Sequence, residues 1–185
     1  ALVGDFGGRT RDIDVVLAAT PDVFAHNIEV VRRLTPSIRD QRCDYDRSLE
    51  VLRHAKARAP ERFVKSSIMV GIGEGDDEVE RTLTDLRAVG VDVVTLGQYL
   101  RPSSKHAPVH RYVEPRRFEA WAELGRELGF AHVASGPLVR SSYHAAEAFI
   151  SALVRPSAPA PQASSGAAPA GFVPAGRLRR RTADG

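Results

Sequence analysis

With 185 residues, 43% of them hydrophobic and 26% charged, the chain has the composition of one soluble domain with a core of its own. It holds no apolar run long enough to span a membrane, and its one cysteine, Cys43, excludes an internal disulfide or an all-cysteine metal site built from this chain alone. The net charge of +3 is uneven: five arginines and one acid lie from Arg155 onward, so that stretch carries +4 and the body −1, which is not the charge of a nucleic-acid-binding domain.

The first residues, ALVGDFGGRT, show no basic start followed by an apolar stretch, so no secretory leader is read there and a reducing, cytoplasmic setting is expected. A β-rich run opens the chain at ALVGDF, residues 1–6, and a second follows at DVFAHN, residues 22–27. DYDRSLEVLRHAKAR, residues 44–58, has helical spacing, with Leu49, Leu52 and Ala55 on one face. FVKSSIMVGIG, residues 63–73, reads as a buried parallel strand ending in a glycine-rich turn. In residues 76–90, Val79, Leu83, Leu86 and Val89 share a helical face, Asp77 and Glu80 supply an acidic N-terminal cap, and Gly90 stops the helix. VDVVTLGQYL, residues 91–100, is the next strand. In residues 114–129 Pro115 opens a helix, Phe118, Trp121, Leu124 and Leu128 form its buried stripe, and Gly129 ends it. AHVASGPL, residues 131–138, is the last strand. Residues 1–154 are thus expected to be folded. Residues 155–185, rich in Pro, Ala, Gly and Ser, are predicted to be a disordered tail whose RLRRR cluster is solvated.

Repeated strand, helix, strand order predicts an α/β fold with a parallel sheet. The polar and glycine-rich residues sit where strands end: His26 and Asn27, Gly71 to Glu74, Gln98 to Arg101, and Ser135 to Ser142. Barrel enzymes build their active sites at that rim, so part of a β/α (TIM-like) barrel is favoured over an open sheet, and five runs amount to about half of one.

The phrases FAHNIEVV, YDRSLEVL, VKSSIMVGIGE, VTLGQYLRPSSKHAPVHRYVEPRRFE and HVASGPLVRSSYHA, in this order over residues 1–150, resemble the C-terminal half of lipoyl synthase, a radical S-adenosylmethionine family. The resemblance implies the C-terminal portion of a partial barrel of the radical S-adenosylmethionine type. It implies an enzyme that inserts two sulfur atoms into an octanoyl chain on a lysine of a lipoyl-carrier protein or a dehydrogenase-complex lipoyl domain. The cofactors implied are S-adenosylmethionine and two four-iron four-sulfur (4Fe-4S) clusters in the full-length parent. One cluster is held by a CxxxCxxC loop. The other, the sulfur source, is held by three cysteines and by a serine of an RSSY motif.

Carried onto this sequence, the resemblance makes Ser142 the cluster ligand, with Ser141 as fallback. A hydroxyl is a hard and replaceable ligand on an iron otherwise surrounded by sulfur. Arg140 would compensate charge, while Gly136 and Pro137 fix the turn that presents the serine. Spacing alone favours Ser141 as the N-cap of the helical run SYHAAEAFISALV; the resemblance reverses that reading. Asn27 and Glu29 match positions that contact S-adenosylmethionine, Arg47 and Lys65 basic positions near the same pocket, and Gly71, Gly73 and Glu74 the turn beside its adenosyl group. Gln98, Arg101 and Lys105 would line the channel for the octanoyl-lysine and its acidic carrier. His106 and His110 make a loose metal pair without a third ligand, and Cys43 matches no cluster position.

Neither cysteine motif occurs in these residues, so the isolated chain is expected to be inactive, with an unpaired edge at its terminal strand. A monomer without nucleic-acid or membrane partners is expected. Two other readings stand beside this one. An ordinary α/β barrel enzyme would bind a phosphorylated metabolite on its glycine-rich turns. A non-enzymatic module would use its basic tail.

Overall fold

The run FVKSSIMV is buried at nearly every position, as expected of a strand with neighbours on both edges. It forms β2 (Phe63–Val70) in the middle of an all-parallel sheet with β1 (Val23–Ala25), β3 (Val93–Gln98) and β4 (His132–Gly136), in the order β1-β2-β3-β4. The computed structural model describes residues 1–140, so the boundary at 154 and the tail at 155–185 lie outside the described residues. The helices are α1 (Thr10–Ala18), α2 (Thr35–Ile38), α3 (Tyr45–Arg58), α4 (Asp76–Ala88) and α5 (Pro115–Glu127). Among the described residues none is long and apolar enough to cross a membrane.

Three of these helices follow the predicted stripes. Leu49, Leu52 and Ala55 of α3 and Val79, Leu83 and Leu86 of α4 are buried, as are Phe118 and Trp121 of α5, whose rings meet edge to face at 5.7 Å. Each large side chain so buried contributes about 2–3 kcal/mol. Gly90 and Gly129 end their helices with left-handed φ of +89° and +86°.

Two expectations are corrected. The cap of α4 is made by Glu78, whose Oε2 accepts from the Gly75 N–H at 2.8 Å, and not by Asp77 and Glu80; Asp77 pairs with Arg81 one turn on. The opening run is not a full strand. Leu2 bridges to Ala25, with Val3 N donating to Ala25 O at 2.9 Å, but Asp5 then accepts from Gly7 N and turns the chain through a short 3-10 turn at Phe6–Gly8.

The sheet has two unlike faces. Parallel register puts Lys65, Val93 and His132 at one level, Ser67, Thr95 and Ala134 at the next, and Met69, Gly97 and Gly136 above, all on one face. The other face carries Phe24, Val64, Ile68, Val70, Val94 and Leu96, which join the helices in one apolar core. Among the described residues the helices thus lie on one side and small or polar residues on the other, consistent with part of a TIM-like barrel.

At the end of the sheet opposite the rim, Asp92 Oδ2 accepts from Val64 N at 2.8 Å and Lys56 Nζ at 2.9 Å. Asp92→Ala leaves that partly buried N–H unpaired and is expected to cost about 2 kcal/mol, read as a lower urea midpoint with an unchanged slope.

Candidate functional site

The chain leaves β1 in an unusual way. His26 N still donates to Lys65 O at 3.1 Å, and Ile28 N then donates to the Ser66 hydroxyl at 3.1 Å. At Glu29 the ladder resumes: its N–H donates to Ser67 O at 3.0 Å, and its carbonyl accepts from Met69 N at 2.7 Å. To make both bonds Glu29 takes a φ of +67°, a left-handed value costing about 1–3 kcal/mol for a residue with a side chain. That strain sets its carboxylate beside Asn27, whose Nδ2 donates to Glu29 Oε1 at 3.2 Å, both residues half-buried. His26 is buried on the opposite side, its Nδ1–H donating to Val3 O at 3.0 Å. Burial pushes its imidazole pKa down.

Asn27 and Glu29 open onto a cavity of about 260 Å³, lined also by Ser67, Met69, Gly97 and Arg140. It lies just below the size of common ligand pockets, about 300–1,000 Å³. After β4 the chain turns back, with Val139 N donating to Gly136 O at 3.1 Å, and Arg140 Nη1 donates to Gln98 O at 3.2 Å. Lys65 is buried on the same face, one level below Ser67. Across the sheet from it, burial and then the Lys65 charge push the His132 pKa down.

The other predicted residues fall into three places. Glu74 is buried and closes its own turn: Oε1 accepts from Gly71 N at 2.6 Å and Oε2 from Ile72 N at 2.9 Å. Gly71 O takes the N–H groups of His110 and Arg111, and Gly73 O takes Arg33 Nη2 at 2.8 Å. Gln98 lines the cavity as well, and its amide is committed to nearby backbone. Its Nε2 donates to Tyr99 O and Arg111 O, and its Oε1 accepts from Val113 N at 2.9 Å, so it shapes the loop after β3. Arg101 organises that exposed loop, donating to His106 O at 2.9 Å and Ser104 O at 2.5 Å, with Lys105 exposed at its tip. Arg47 stands apart from the cavity on the first turn of α3, donating to Arg42 O at 2.7 Å and lying 3.6 Å from Asp5 Oδ2.

Ser141 and Ser142 lie outside the described residues; Arg140, the residue before them, lines the cavity. His106 Nδ1 is engaged by the Ser103 hydroxyl at 2.9 Å. Among the described residues no three His, Cys, Asp or Glu side chains converge. Sequence reasoning passed over three residues of this rim. Ser67 lines the cavity, Arg111 ties Asp76 at 2.6 Å to the rim, and Gly97 lies under Val139. Only Ser67 carried a signal, through its period-two spacing from Lys65.

No protein-family model matches the chain. It is 58% identical over 181 residues to the lipoyl synthase of Sorangium cellulosum, covering 90% of this chain and 49% of that protein. It is 53% identical to lipoyl synthase 2, chloroplastic, of Zea mays and 52% identical to the lipoyl synthase of Thermus thermophilus, over 83% and 84% of its length. The chain spans about half the length of these curated relatives, 42% and 48% in the latter two. At such identity over most of its length, the chain belongs to the lipoyl synthase family.

Proposed function

We propose that the chain is the C-terminal part of a lipoyl synthase, with the reacting centre at the C-terminal rim of its sheet. The observation that carries this reading is the single cavity where Asn27, Glu29 and Arg140 meet, although Arg140 lies more than a hundred residues along the chain from the other two. Bound there, S-adenosylmethionine would supply the 5′-deoxyadenosyl radical that removes hydrogen from unactivated carbons of the octanoyl chain. Glu29 would take the cofactor's ammonium or ribose hydroxyls through charge-assisted hydrogen bonds, with Asn27 holding the carboxylate in place. Lys65, below, would pair with the cofactor's carboxylate. Met69, Tyr99, Leu100 and Val139 line the same space with apolar surface that excludes water.

A cluster does not fit the described residues, because the sequence has one cysteine and no three ligating side chains converge. The cysteine ligands of both clusters would come from outside this chain, which alone would be inactive. We place Ser142 at one cluster and Arg101 and Lys105 at the docking surface of an acidic octanoylated carrier. We read the enzyme as a cytoplasmic monomer of the radical S-adenosylmethionine barrel type. The rival reading, a phosphate site on the glycine-rich turn, loses force because Glu74 already occupies the Gly71 and Ile72 N–H groups.

The test joins residues 1–185 to the N-terminal half of the Sorangium cellulosum relative, giving a complete synthase. It should restore lipoyl groups to cells lacking lipoyl synthase, and the chain alone should not. Failure of the joined protein where the intact relative succeeds sinks the proposal. In the same protein Asn27→Ala and Lys65→Ala should each weaken S-adenosylmethionine binding about tenfold by calorimetry, the loss of roughly one charge-assisted hydrogen bond. Unchanged affinity in both would remove the pocket assignment.

A further inference from the structure

The top level of the interior face holds Met69, Gly97 and Gly136 side by side, so two of its three positions have no side chain. The chain uses that gap. A Cβ built on Gly97 would fall less than 3.0 Å from the carbonyl oxygen of Val139 and 3.2 Å from its carbonyl carbon, and one on Gly136 would touch Val139 Cγ2 at 3.4 Å. The obstacle at Gly97 is backbone, which cannot swing aside as a side-chain tip can. Gly97 also has no left-handed φ, so its backbone conformation suits any residue and only the space is special.

We infer that Gly97 is a positioning residue: by omitting a Cβ it seats the Val139 carbonyl against the sheet and so sets the height at which Arg140 crosses the cavity. Arg140 is fixed there by its bond to Gln98 O, the carbonyl next to Gly97, and one peptide bond later the chain continues into Ser141 and Ser142. This deepens the lipoyl synthase reading and rests on it. A methyl group at Gly97 must lift the 137–140 strap by about 1 Å, a misplacement of the size that costs about a hundredfold in enzymes that depend on alignment. Glu29 is held by β2 and Asn27 by Glu29, so neither is bonded to the strap.

The experiment is Gly97→Ala in the complete synthase, with Asp92→Ala as a variant that destabilises from the far end of the sheet. Three quantities are read: hydrogen exchange at the Val139 amide, 5′-deoxyadenosine formed, and lipoyl groups formed. Gly97→Ala should speed the Val139 exchange at least tenfold and lower lipoyl formation at least tenfold, a clearly larger loss than that of 5′-deoxyadenosine. Asp92→Ala should not separate the last two. Parental lipoyl formation in Gly97→Ala, or a parallel loss of both products like that of Asp92→Ala, overturns the inference and leaves the proposed function standing. If the unsubstituted complete synthase forms no lipoyl groups, the function itself fails and the inference falls with it.

Discussion

Gly71→Ala is expected to lower the melting temperature of the chain by about 10 °C. Two costs combine there. Gly71 has a φ of +96°, and a Cβ would stand 2.5 Å from Arg111 O and closer still to the Gln98 amide nitrogen. Left-handed strain of about 1–2 kcal/mol and overpacking of about 1–3 kcal/mol give roughly 3 kcal/mol. The damage would spread along the rim, because Gln98 is the group that pins Tyr99, Arg111 and Val113. Circular dichroism melting checks the size, and faster hydrogen exchange at the Val113 amide checks the route. Gly4→Ala is the control, since nothing lies within 4 Å of its new methyl group. Equal melting of the two variants would show that Gly71 is not a keystone of the rim.

Much of this architecture was legible in the residues, for a physical reason. β2, β3, α3, α4 and α5 are long enough for their periodicity to outweigh local noise, and their ends carry glycine, proline or acids. The failures are where burial is shallow or where the deciding contact is distant. α1 buries Ile13 alone and leaves Val15 67% exposed, so its sequence shows no clean stripe. The opening run looked like a strand until Asp5 and two glycines bent it. Gln98 was read for its polar head as a substrate contact; it does line the cavity, but the backbone bonds that hold its amide reach residues up to 15 positions away and left no mark in the sequence. Its neighbour Gly97 said nothing, because the reason for that glycine is a carbonyl 42 residues away. The left-handed turn at Glu29 is hidden in the same way: the pull comes from Ser67 and Met69 on another strand.

The largest effect on activity is expected from Ser142→Ala in the complete synthase. If Ser142 is the weak corner of the sulfur-donating cluster, losing it should suppress lipoyl formation at least about a hundredfold, as loss of a metal's supporting groups alone costs 10–100-fold. S-adenosylmethionine cleavage should stay within about threefold, since the groups proposed for the cofactor are Glu29, held by β2, and Asn27, bonded to it. The Gly97→Ala variant should show the same split more weakly, because it displaces the strap rather than removing the ligand. Measuring 5′-deoxyadenosine and lipoyl product in one reaction separates the two steps. Parental product with Ser142→Ala would move the assignment to Ser141 or abolish it.

Strand order in this sheet copies chain order, each strand lying beside the one before it. A polypeptide emerging from the ribosome at about 5–20 residues per second can therefore dock each strand and its helix onto an edge that already exists, with no segment held back for a later partner. Nearest-neighbour pairing keeps every loop closure short, which favours fast folding even in a parallel sheet. The rim obeys a different clock. Its floor is in place once β3 has docked, but Val139 and Arg140 follow β4, so among the described residues the roof of the cavity is the last part to be added. Floor and roof of one cavity are thus laid down by separate docking events, the second waiting on the fourth strand.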